Sequence, residues 1–149
     1  EFPDHPALIF GMGNVFLHMD MAGPAVAMFE RSSAKGAIGA PPFLNMANAY
    51  KTQHKDKEAA EAYDRAIDAA KKHPNLDERG INMDLSSALH GKASLFVNAG
   101  TPDTCIYWAE KSLAVDPDDR FAWWNKGLAH LEKGDWQEHV RLSLAIPLE

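Results

Sequence analysis

Residues 40–70 read APPFLNMANAYKTQHKDKEAAEAYDRAIDAA, two patterned stretches joined by a polar turn. In the first, apolar or small residues fall at Phe43, Met46, Ala47 and Tyr50. After the turn they resume at Ala59, Tyr63, Ala66, Ile67 and Ala70. Steps of three and four put each set on one face of a helix, so the stretch predicts two helices, each with one face to bury.

The pattern recurs along the chain. One period earlier, with Ile9 at the place of Phe43, it reads Ile9, Met12, Gly13 and Phe16, then Ala25, Phe29 and Ser32. Further on, with Leu89 at that place, it reads Leu89, Ala93 and Phe96, then Cys105, Ala109 and Ser112, with Pro117 closing the unit. One period after that it reads Trp123, Gly127 and His130, then His139 and Ser143. Four units therefore start near residues 6, 40, 86 and 120. Gly13, Ala47, Ala93 and Gly127 are small enough to let the first helix of a unit approach the second closely. Ile9, Phe43, Leu89 and Trp123 are large enough to fill the space between units, at roughly 25 cal/mol per Å² buried. One unit cannot bury both of its faces, so stacking makes the core.

These units resemble the tetratricopeptide repeat family over nearly the whole chain. The resemblance implies an all-α fold, a right-handed superhelical solenoid of antiparallel helix pairs. The expected organisation is one domain over 3–147, with repeats 6–39, 40–73, 86–119 and 120–147 and an inter-repeat insertion at 74–85. Glu1 with Phe2 and Leu148 with Glu149 are dipeptides that common cloning sites encode, and they read as scars. Turn chemistry agrees with the register. Asp118 or Asp119 can cap the helix carrying Trp123, Thr101 and Pro102 suit a helix start, and Gly100 and Gly134 can end first helices. The insertion PNLDERGINMDL reads as an extended connection, with a lengthened helix after Asn82 or Asp84 as an option. The fourth unit is atypical, and its last helix is expected to expose Leu142 and Ile146 as a self-associating edge.

Composition narrows function by exclusion. The 149 residues are 46% hydrophobic and 24% charged, the balance of a folded globular chain. A net charge of -6 without a local basic patch argues against nucleic-acid partners. No apolar run approaches the roughly 20 residues that span a bilayer, so membrane insertion is not expected. The single Cys105 forms no internal disulfide, which is consistent with a cytoplasmic address. None of the seven histidines stands three or four residues from another, so neither a metal nor any other cofactor is expected. Cys105 occupies a small-residue packing position and lacks a thiolate-stabilising neighbour. Asp116, Asp118 and Asp119 are interrupted by Pro117 and lack the glycine and terminal glutamate of a calcium loop, so they read as helix punctuation. No catalytic constellation is found, and the chain reads as a non-enzyme.

In the family it resembles, first helices line a concave groove that holds a peptide or partner helix. Carried over position by position, the groove residues here are Phe10, Asn14, Leu44, Asn45, Asn48, Lys51, His90, Asn98, Trp124 and Asn125. Asparagine amides both donate and accept, so they can satisfy the backbone of a bound strand. One branch of the family clamps a terminal carboxylate with asparagines and basic residues. Asn14 and Asn45 match its asparagines, but Phe10, Ser87 and Gly91 stand at the basic places. A second branch, in glycosyltransferases, uses an asparagine ladder, of which Asn45 and Asn125 match while Gly11 and Gly91 do not. The leading expectation is a non-catalytic protein-interaction module that binds a peptide or protein segment. The alternatives are the repeat portion of a larger bacterial enzyme such as a glycosyltransferase, and a scaffold that self-associates through its C-terminal edge.

Overall fold

The computed structural model describes residues 4–97 and 99–145, without the side chains at 142, 143 and 145. Eight helices follow one another: α1 (Pro6–His18), α2 (Ala22–Ala34), α3 (Pro41–Thr52), α4 (Asp56–Lys72), α5 (Met83–Ser94), α6 (Pro102–Val115), α7 (Arg120–Glu132) and α8 (Trp136–Ala145). They divide into two compact units, Glu1–Asn75 with α1 to α4 and Leu76–Glu149 with α5 to α8.

Local chemistry sets the helix ends. Proline opens α1, α3 and α6, where its missing N–H removes a donor that the first turn could not pair anyway. Asn82 caps α5 by accepting from the Leu85 N–H, and Asp119 caps α7 by accepting from the Phe121 and Ala122 N–H groups. Each helix pair reverses through one left-handed residue at the same place in the repeat: Asp20 (φ 57°), His54 (φ 56°), Gly100 (φ 71°) and Gly134 (φ 80°). Glycine meets no steric penalty there; Asp and His are among the residues that tolerate it best.

In the first unit α1 packs on α2, α2 on α3 and α3 on α4. Ile9, Phe29, Met46, Ala47 and Tyr63 are almost fully buried. Gly13 is required by this packing, because a Cβ there would lie 2.5 Å from Phe29 Cε1. Arg65 of α4 forms a two-pronged ion pair with Glu30 of α2, at 2.7 and 3.1 Å, and lies over the Phe43 ring at 4.5 Å.

In the second unit Ala93, Cys105, Ala109, Ala122 and Ala129 form a small-residue core, with Phe96, Val97, Ile106, Trp108 and Leu113 packed against it. The buried Lys92 carries its ammonium 4.0 Å above the Trp108 ring, a contact that offsets part of its lost hydration. The chain ahead of α5 is a loop tied by its own bonds, and α5 begins at Met83, directly after Asn82. Leu76 and Asn82 form one antiparallel bridge, and Asp77 Oδ1 accepts from the Arg79 and Ile81 N–H groups at 2.9 Å. Those bonds, the Ile81 one foremost, hold the Asp77 carboxyl below its ordinary range. Arg79 completes the tie by reaching Asp118 at 2.9 Å and Asp116 at 3.7 Å.

Candidate functional site

Within each compact unit the first helices of the two repeats lie side by side, α1 with α3 and α5 with α7. On the α1–α3 face, Asn45 Nδ2 donates to Asn14 Oδ1 at 2.7 Å, so two of the expected groove asparagines tie one helix to the other. Asn48 is exposed, and its Oδ1 accepts the Tyr63 hydroxyl at 2.8 Å. Burial pushes Tyr63 up to about 12, so this hydroxyl remains a donor at any working pH. Lys51 is exposed and Leu44 half-buried. Phe10 leans on Phe29, ring centroids 5.6 Å apart, and lines an apolar hollow of about 400 Å³ with Ile38, Pro41 and Pro42.

The α5–α7 face is built on a buried carboxylate. Asp119 Oδ2 accepts from Ser112 Oγ at 2.6 Å, Ser86 Oγ at 3.0 Å and His90 Nδ1 at 2.9 Å, while Oδ1 takes the two capping N–H groups. Burial opposes the charge on Asp119, but the bonds from His90 and Ser112 prevail and hold its carboxyl below the usual range. The bond to Asp119 fixes the His90 ring with Nδ1–H as donor, and the ring lies against Phe121 at 5.0 Å. Phe121 and Trp124, one turn apart on α7, are 63% and 59% exposed, whereas the adjacent Trp123 is half-buried and donates its Nε1–H to the Pro117 carbonyl at 2.9 Å.

Asn125 is placed differently from the expectation of a free groove amide. It is buried, and its Nδ2 donates to the His90 carbonyl at 3.0 Å, tying α7 to α5. Asn98, Leu142 and Ile146 lie outside the residues, or side chains, that the structure describes. Sequence reasoning missed the carboxylate beneath His90, having read Asp119 as a cap alone. Its signal was serine at a small apolar position: Ser32 and Ser112, at matching places in the first and third repeats, are both fully buried with hydroxyls committed, Ser32 to the Pro6 carbonyl at 2.8 Å.

Cys105 is also fully buried, with its thiol 3.5 Å from the Asn125 carbonyl and pushed up to about 11 by desolvation. That is the opposite of an activated nucleophile. Among the described residues no group of three or more His, Cys, Asp or Glu side chains could hold a metal ion, and no helix is long and apolar enough to cross a membrane.

No protein-family model and no curated protein matches the sequence. Solved structures match its fold. A crystal structure of MamA agrees with a TM-score of 0.76 at 18% identity, covering 95% of this chain and 75% of that one. YrrB, described as a TPR protein with an unusual peptide-binding site, agrees at 0.69 and 18%, covering 95% and 66%. The second TPR domain of human RPAP3, solved with an HSP70 peptide, agrees at 0.67 and 19%, covering 83% and 97%. The chain has the tetratricopeptide-repeat fold, all-helical among the described residues, with its repeats starting near residues 6, 40, 86 and 120.

Proposed function

We propose that this chain is a non-catalytic interaction module that binds a peptide or protein segment on the first-helix face of its second compact unit. The observation that carries the reading is the pair of exposed aromatics, Phe121 and Trp124, beside a histidine whose ring is fixed by a buried carboxylate. Large exposed aromatics cost apolar hydration, and a rigid, half-buried polar group next to them supplies direction. In the neutral ring, with Nδ1–H committed to Asp119, Nε2 is an acceptor for an N–H or O–H of the ligand. An apolar or aromatic ligand side chain would lie on Trp124. YrrB and the RPAP3 domain are described with peptide binding, which supports this use of the fold. A carboxylate clamp is disfavoured, because Phe10, Ser87 and Gly91 stand where the basic residues would be. An asparagine ladder is disfavoured too, because the Asn45 and Asn125 amides are spent inside the protein. On the first unit, Asn48, Lys51 and Leu44 form a secondary contact surface.

A displayed random-peptide library panned on the full chain tests the proposal. The expected result is a consensus with an apolar anchor, whose synthetic peptide binds Trp124→Ala roughly tenfold or more weakly at unchanged far-UV circular dichroism. No enrichment, or equal affinity for the variant, overturns it.

A further inference from the structure

We propose that His90 makes the choice of ligand on the α5–α7 face proton-dependent. With its ring neutral the face takes a segment that donates a hydrogen bond beside its apolar anchor; with the ring protonated it takes one that carries a carboxylate there. Such control rests on this face being the peptide site, and it specifies which peptides bind. His90 Nδ1 lies 2.9 Å from Asp119 Oδ2, and the Asp119 side chain is 4% exposed.

Asp119 gives the ring no freedom in where it takes a second proton. The carboxylate is met by five donors: the hydroxyls of Ser86 and Ser112, the Phe121 and Ala122 N–H groups, and His90 Nδ1–H. A neutral carboxyl would turn its own O–H against them, so Asp119 stays ionised, its carboxyl held below the usual range. Turning the ring over would strip the buried carboxylate of a donor. The proton therefore arrives at Nε2. That atom has no bonded partner among the described residues and is not buried, the His90 side chain being 22% exposed.

Protonation at Nε2 reverses what the ligand meets. A lone pair that accepts an N–H or O–H becomes an N–H that donates, and the ring gains a positive charge. The Phe121 ring, 5.0 Å away, covers one side of the imidazole, and partial exclusion of water strengthens either bond. Asp119 is the charged group in contact with the ring. Others on the helices around it have partners of their own. On α5 the Lys92 ammonium lies over Trp108 and Asp84 is engaged in the first turn. On α6, Asp103 pairs with Lys133, Glu110 with Lys126, and Lys111 lies over Tyr107. Ahead of α7, Asp116 and Asp118 meet Arg79, and on α7 Glu132 takes the Gly100 N–H. Arg120 is the exception, exposed one turn before Trp124, where it adds to the pull on a carboxylate. A carboxylate ligand favours the protonated ring and so binds more tightly as pH falls. A donor ligand favours the neutral ring and binds more tightly as pH rises.

Panning a histidine-free peptide library on the full chain at about pH 8 and at about pH 5.5, either side of the range in which histidine side chains change charge, tests this. Two consensuses are expected, sharing an apolar anchor and differing beside it: a hydroxyl, amide or basic residue at the higher pH, Asp or Glu at the lower. A synthetic peptide of either class should bind about tenfold or more weakly at the other pH. His90→Asn offers Asp119 an amide N–H in place of Nδ1–H and has no Nε2, so on this variant the two consensuses should merge. If circular dichroism shows that it loses helicity, His90→Gln is read instead. One consensus at both pH values on the wild type overturns the inference and leaves the binding face standing. Two consensuses that persist in the variant do the same. A wild type that loses helicity at the lower pH overturns it too, since the ring then leaves Asp119. No enrichment at either pH overturns both the inference and the binding face.

Discussion

At the residue scale the second unit turns on Asp119, which caps α7, holds two serine hydroxyls and aims His90. Its carboxyl sits below its ordinary range in the fold, so as pH falls the unfolded chain takes up the proton first. The contribution of Asp119 is therefore complete above the unfolded carboxylate value near about pH 4 and drains as pH drops through the lower folded value. Urea unfolding across the acid range up to neutrality should show stability falling at the acid end, with a shallower fall in Asp119→Asn. Asn48 has two roles, since it anchors the buried Tyr63 hydroxyl as well as facing solvent. Asn48→Ala should cost about 1 kcal/mol by leaving that hydroxyl unpaired, and Tyr63→Phe in the same background should return part of it; urea unfolding of the single and double variants measures both. Cys105 should resist thiol reagents at mildly alkaline pH in the native chain and react at once in urea, because the fold both buries it and raises it to about 11.

At the element scale the repeat is held by places where backbone comes close or reverses. Gly13 and Gly11 lie on the same helix and make opposite predictions. Gly13→Ala puts a methyl into the Phe29 ring and should lower stability by about 1–3 kcal/mol. Gly11→Ala meets open space and should raise it by about 0.5–1 kcal/mol. Thermal unfolding at low protein concentration separates the two. At the reversals, Asp20 and His54 occupy the left-handed position that Gly100 and Gly134 fill in the second unit. The turn asks for tolerance of positive φ rather than for one residue type, so the glycine signal that marks the later turns is absent from the earlier ones.

At the scale of the whole chain, the helices and their starts were legible because the repeat is written in side-chain size: small at Gly13, Ala47, Ala93 and Gly127, large at Ile9 and Leu89, with prolines and caps at the ends. The candidate face was legible in part. Register separates Trp123 from Trp124, and the structure leaves the second more exposed. Asn125 and the Asp119 network were not legible, since whether a polar side chain spends its bonds inside the protein depends on neighbours from other helices, which periodicity does not name. The bonds that close the loop ahead of α5, Asp77 to Ile81 and Arg79 to Asp118, were not legible, because they pair residues that carry no repeat signal. Binding on the α5–α7 face is decided by mapping amide shifts in the isotope-labelled chain as a selected peptide is added. The expected shifts centre on His90, Phe121 and Trp124, with the Trp124 indole N–H among the largest. Shifts confined to α2, α4 or α6 while those three stay unmoved would contradict it.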